Sequence, residues 1–96
     1  MRLENETGFT LKVKVIRPSR ERDFEIENHS QLTIGVDFDK VVIARSDWAD
    51  PIYNMRINGG ICITSLNDGS VLNAFHTDYA DVVKIDIHGI DFHSTK

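Results

Sequence analysis

Asp86-x-His88 and Asp91-x-His93 are the residues whose types and spacing come nearest to a metal site. Side chains two apart on a strand share a face, so each pair would offer two ligands to one ion. The pairs are separated by five residues, about 15 Å along an extended chain. One ion would not reach both, and a metal-dependent hydrolase built on them is the least supported reading. Asp37, Asp39, Asp47, Asp50, Asp68, Asp78 and Asp81 are loop carboxylates of the kind calcium takes. None sits in a twelve-residue helix–loop–helix pattern, and aspartate is also a common turn former. No metal and no cofactor are therefore expected.

Nucleophilic chemistry is equally thin. Cys62 lies inside the apolar run Ile61-Cys62-Ile63, where a thiol packs rather than reacts. Ser65, Ser70 and His76 have no nucleophile elbow around them. There is no glycine-rich phosphate loop. The expected protein is not an enzyme.

Binding chemistry is better represented. Trp48, the sole tryptophan, stands in the acidic segment Ser46-Asp47-Trp48-Ala49-Asp50. Thr77-Asp78-Tyr79-Ala80-Asp81 repeats that form 31 residues later. Ser or Thr followed by Asp is helix-start chemistry, so each segment reads as a single helical turn in a loop. Tryptophan is enriched in binding hot spots. General burial tendencies favour the plainer alternative, in which the ring plugs one end of the core. Arg17, Arg20 and Arg22 form a basic turn that would grip a carboxylate or phosphate of a partner, or stay solvated at a hairpin tip. Asn5-Glu6-Thr7 and Asn28-His29-Ser30 fit the glycosylation sequon, at a frequency chance would supply. Asn5-Glu6-Thr7-Gly8-Phe9 resembles, over five positions, the Asn-Pro-Thr-Thr-Gly-Phe loop of chagasin-type cysteine-protease inhibitors. It lacks the proline, that family's other inhibitory loops do not follow, and no residue role is carried over.

The elements that must hold these residues are strands. Phe9, Leu11, Val13 and Val15 alternate with Thr10, Lys12 and Lys14. Arg17-Pro18-Ser19-Arg20 breaks the run. Alternation resumes at Phe24 and Ile26, and at Leu32, Ile34 and Val36. Val41 to Ala44 is apolar on both faces, as in a central strand. Tyr53, Met55 and Ile57 lead into Asn58-Gly59-Gly60, a hairpin signal, and Ile61 to Leu66 returns. Asn67-Asp68-Gly69-Ser70 turns again before Val71 to Phe75. Val83, Ile85 and Ile87 then give way to Ile90 and Phe92, a change of phase that a bulge at Gly89 would absorb. About eight strands and no sustained helical period predict an all-β antiparallel sandwich or small barrel of 7–8 strands in one domain over 1–96. At most one or two single-turn helices are expected in its loops.

Alternating strands send alternate loops to opposite ends. One end should gather 28–30, the Trp48 loop and 67–70; the other should gather 17–22, 37–40, 58–60 and Tyr79. The two aromatic-acid segments then lie apart, which argues against one shared site.

Composition closes the list of partners. The 96 residues carry a net charge of −4, with +3 in residues 1–22 and −7 in residues 23–96. Most of the surface should repel nucleic acid, whose binding rests on phosphate neutralisation. No apolar run approaches the ~20 residues of a membrane helix. The start, MRLENETGF, holds no apolar core of a signal peptide, and one cysteine leaves no intrachain disulfide. A cytoplasmic location and no membrane association are expected. The leading expectation is a small acidic, non-catalytic protein-binding module: an inhibitor, immunity or anti-defence protein. It would act on a macromolecular partner through its sandwich-end loops or an edge strand. Partner-binding candidates are Trp48, Asp47, Asp50, Tyr53, Asp68, Arg17, Arg20, Arg22 and Tyr79. An open sandwich also favours edge pairing into a homodimer. The alternative is a sugar- or calcium-binding module using the acidic and aromatic loops.

Overall fold

A computed structural model describes residues 1–78 and 81–93. They form two sheets and no helix: β1 (Arg2–Glu6), β2 (Leu11–Arg17), β3 (Arg20–Ile26), β4 (Gln31–Thr33), β5 (Lys40–Arg45), β6 (Tyr53–Asn58), β7 (Ile61–Leu66), β8 (Val71–His76), β9 (Val82–Asp86) and β10 (Gly89–His93). The four-stranded sheet runs β10-β9-β1-β4 and the six-stranded sheet runs β3-β2-β5-β6-β7-β8. The larger sheet is antiparallel throughout; in the smaller one, β1 pairs β9 in parallel. The all-β sandwich is as the alternation predicts, with ten strands among the described residues rather than eight.

The core is the inward set of that alternation. Leu11, Val13 and Val15 of β2, Val41 and Ile43 of β5, and Met55 of β6 face Leu3, Val83, Ile85 and Ile90 of the smaller sheet, all buried. β5 is a central strand, as its sequence implies, but its second face is only half covered at Val42 and Ala44. Ile34 and Phe38 seal the crossing from β4 to β5; Val36, predicted to continue the strand, is exposed outside it.

Two elements differ from the sequence reading. β1 shows no apolar rhythm, because its two inward positions are Leu3 and Asn5, and both are fully buried. The last strand is a hairpin instead of one bulged strand. Ile85 pairs with Ile90 and Asp86 with Gly89, leaving Ile87 and His88 as the turn. A two-residue turn changes the phase of the apolar positions just as a bulge does. Asp86 decides between them: its Oδ1 accepts the amide N–H of His88 at 2.8 Å and of Gly89 at 3.0 Å. Gly89 takes φ +150°, a conformation closed to most side chains.

The smaller sheet leans on the larger along one side. Asn73 Nδ2 of β8 donates to the carbonyl of Ile90 at 2.8 Å, and the Phe75 and Phe92 rings stack with centroids 3.5 Å apart. The Trp48 segment and the described part of the Thr77 segment are turns and bends without a helical turn.

Candidate functional site

The observed strand order sends loops 7–10, 28–30, 46–52, 67–70 and the Ile87–His88 turn to one end of the molecule. Thr77 N donates to the Gly60 carbonyl at 2.9 Å, which holds that segment at the other end. The two similar loops therefore do not share a site.

The Trp48 end is organised by Asn5. Its Nδ2 donates to the carbonyls of Phe9 at 2.6 Å and Ile26 at 2.8 Å. Its Oδ1 accepts from the Thr7 amide at 3.0 Å and the Thr7 hydroxyl at 2.7 Å. A buried asparagine with every hydrogen-bonding position used ties β1 to β3 and folds residues 7–9 into a tight turn. Gly8, at φ +86°, lets the chain reverse there, and its N–H donates to Asn28 Oδ1 at 2.9 Å. This Asn-Glu-Thr-Gly-Phe segment is thus a bracket anchored by the buried Asn5, with Glu6 and Thr7 half-buried and Gly8 and Phe9 at its exposed tip. Asn5 is unavailable to modification.

The bracket presents Phe9 to Arg45. The Arg45 guanidinium lies 3.6 Å from the Phe9 ring centroid and 5.1 Å from that of Trp48. Its Nε is 2.6 Å from Asp47 Oδ1, an ionic contact made off the N–H axis. One arginine therefore holds two aromatic rings and an acid in a cluster, by cation–π attraction to each ring face. Trp48 does not plug the core. It is 52% exposed, and it separates a 210 Å³ cleft between the sheets from a shallower 520 Å³ hollow beside Lys12 and Lys14. The cleft is lined by Phe9, Arg45, Trp48, Tyr53, Asp86 and Ile87. Ile87, at the tip of the β9–β10 turn, is 72% exposed. Burial, with the Asp86 carboxylate as a second cause, pushes the Tyr53 hydroxyl above its ordinary pKa. At the same end, Glu6 Oε2 lies 2.7 Å from His29 Nδ1.

Of the residues singled out in the sequence, Trp48, Asp47 and Tyr53 meet here. Asp50 is exposed in the same loop. Asp68 shares this end of the larger sheet but serves its own turn. Its Oδ1 accepts the Ser70 N–H at 2.9 Å, which holds the carboxyl below the usual range. Arg17, Arg20 and Arg22 lie at the far end. Arg17 Nε donates to Asp37 Oδ1 at 3.1 Å, a contact that lowers the Asp37 pKa. Arg17 is therefore a tethered strand end, not a free clamp. Tyr79 lies outside the described residues. Phe9, Arg45 and Ile87 were missed as site residues. The alternation places Phe9 among the inward positions and Ile87 inside a strand, and no motif draws attention to Arg45.

The chemical candidates fare as their environments dictate. Cys62 is fully buried between β6 and β8, and burial pushes its thiol pKa up to about 12. The β9–β10 hairpin changes the geometry of the Asp/His row: Asp91 pairs with Lys84 and His93 with Val82. Among the described residues no three His, Cys, Asp or Glu side chains are grouped to hold a metal. No family model, curated protein or solved structure matches this chain.

Proposed function

We propose that the protein is a non-catalytic protein-binding module, of the inhibitor, immunity or anti-defence kind, that engages its partner with the Trp48 end. The observation that carries this reading is the solvent-facing cluster of Phe9, Trp48 and Ile87 around Arg45. Large apolar side chains gathered at one exposed place, rather than scattered, mark an interaction surface. Aromatic residues and arginine are the types that dominate binding energy at such surfaces. The acids Asp86, in the cleft lining, and Asp47, against Arg45, sit at this centre, with Asp50 exposed in the same loop as Trp48. A basic protein surface with an apolar pocket complements it, and the acidic rim would speed encounter with it.

The test is affinity capture from native lysate by the wild-type chain and by Trp48→Ala, Phe9→Ala and Ile87→Asp. The partner is then purified and titrated by calorimetry. Each substitution should weaken binding at least about tenfold, as truncation of a hot-spot residue does. A partner bound equally by all four chains, or no partner with a nucleotide- or glycan-free monomer, removes the reading.

A second observation supports self-association. β8 is an edge strand of the larger sheet, has no acidic or basic side chain from Val71 to Phe75, and exposes Val71 and Leu72. β3, the opposite edge, carries Arg20, Glu21, Arg22, Asp23 and Glu25, the charges that ordinarily blunt an edge. Pairing of β8 with β8 of a second copy would build the homodimer. Light scattering of wild type and Val71→Lys checks it: a dimer that the lysine dissociates supports the pairing, and a wild-type monomer at high concentration overturns it.

A further inference from the structure

We infer that the outer surface of β5, β6 and β7 is a binding site for a phosphate monoester carried on a hydroxylated small molecule. The register of the larger sheet points there. On its outer face Lys12 stands opposite Glu25 and Lys14 opposite Asp23, so cation faces acid. At Lys40 and Arg56 cation faces cation. Directly opposed residues lie about 4.5–5.5 Å apart at Cα, and like charges so placed destabilise a sheet. The other like pair of this sheet, Arg17 opposite Arg20, is relieved by Asp37. Lys40 and Arg56 have no such relief: neither makes an ion pair or hydrogen bond with a described residue. Asp39, the chain neighbour of Lys40, makes no ion pair with it, and the nearest acid along their row is Glu21, two strands away, at roughly 10 Å.

Neutral donors surround the two cations. Asn54 and Asn58 flank Arg56 on the same face of β6, and Ser65 stands opposite Asn54 on β7. With Asn67 they line a hollow of about 480 Å³, to which Ile63 and Val71 add apolar lining. No carboxylate lines it. None of these amide and hydroxyl side chains is hydrogen-bonded to a described residue, although Asn54 and Ser65 are half-buried.

A phosphate monoester carries about −1.5 to −2 at neutral pH and accepts hydrogen bonds on three oxygens. It would neutralise both cations at once, where a carboxylate would neutralise one. Arginine adds a planar fork of donors suited to phosphate oxygens. The amides and Ser65 are placed to bind hydroxyl groups beyond the phosphate, with Ile63 and Val71 supplying apolar contact. A polynucleotide fits less well, because Glu21, Asp23 and Glu25 on β3 end the positive area two strands from Lys40.

The test titrates the full chain with inorganic phosphate and with ribose 5-phosphate, each against chloride of equal ionic strength, by amide NMR and thermal unfolding. Ribose 5-phosphate should shift the signals of residues 40, 54–58 and 63–67. At ten times its Kd it should raise the unfolding midpoint by roughly 5–10 °C. It should bind more tightly than inorganic phosphate. Lys40→Gln and Arg56→Gln should each weaken it about tenfold or more while unfolding, without ligand, at or above the wild-type midpoint, because the repulsion is gone. That pairing of lost binding with unchanged or raised stability separates a ligand site from a damaged fold. Inorganic phosphate bound as well as the ester overturns the hydroxylated carrier. No effect beyond chloride, or shifts confined to residues 17–22, overturns the site.

Discussion

Asn5→Ala tests the bracket on which the Trp48 end depends. The substitution deletes four hydrogen bonds, two donated to the Phe9 and Ile26 carbonyls and two accepted from Thr7. A hydrogen bond in a folded protein contributes about 0.5–1.5 kcal/mol net, and a buried partner left unsatisfied costs about 1–3 kcal/mol. The four losses are not equal. Phe9 and Thr7 lie near solvent, so water replaces part of what they lose. Ile26 is buried, and its carbonyl has no such recourse. The sum is about 3–4 kcal/mol, a large share of the ~5–15 kcal/mol that holds a domain folded. Urea unfolding should show the midpoint falling with an unchanged slope, and thermal unfolding should drop by roughly 15–30 °C. Asn5→Asp keeps the shape but removes both donors and buries a charge, so at neutral pH it should be at least as damaging. Its folded-state carboxyl is raised by burial, so that variant should regain stability as the pH falls and the acid becomes a donor. A loss below about 1 kcal/mol in Asn5→Ala, with the native spectrum intact, would refute the reasoning, since it would mean the four bonds are exchanged for water without cost.

Other perturbations have distinct signatures. Trp48→Ala should change stability by less than about 1 kcal/mol, because the ring is half in solvent. In the wild type, the fluorescence of this sole tryptophan should be quenched by iodide in the native state. Arg45→Met keeps the aliphatic stem but removes the cation from the Phe9 and Trp48 rings; a cost of about 1 kcal/mol in urea unfolding is expected. Cys62 should resist a thiol reagent in native protein and react once unfolded. Its folded pKa, about 12, is raised above the unfolded value of about 8.5. Its contribution is therefore complete below about pH 8.5 and declines as the pH rises toward the folded value. Cys62→Ala should flatten that alkaline slope in unfolding measured from pH 8 upward. Asp37 runs the other way: Arg17 lowers its pKa, so the pair holds above the ordinary carboxylate range and is lost as acid titrates Asp37. An Asp37 carboxyl that titrates at or above the model-peptide value by NMR would contradict the contact.

Period-two alternation carries most of this fold, and it is a local property of the chain. β2 and β6 each expose a polar face and bury an apolar one, so their existence and their inward residues follow from sequence alone; β5 is apolar on both faces and β7 turns Ile61 and Ile63 outward while burying Thr64, so their inward sides were set by packing. So does the sorting of loops to two ends, because alternation of direction follows from short turns. What the chain does not announce is any feature settled by a distant partner. β1 became a strand because β4 and β9 supply its hydrogen bonds, with a polar Asn5 occupying a core position. Asp86 turned one expected strand into a hairpin by accepting two amides, a choice the apolar phase does not distinguish. The Trp48 cluster needs Arg45, Phe9 and Ile87 from three separate elements, which no spacing rule joins. The opposed cations Lys40 and Arg56 exist only in the register of β5 against β6. Sequence determined which face is wet on the strands that alternate cleanly, β2 and β6, since that depends on each residue and its neighbours; tertiary structure decided the rest, and which wet residues meet, since that depends on strand order and register.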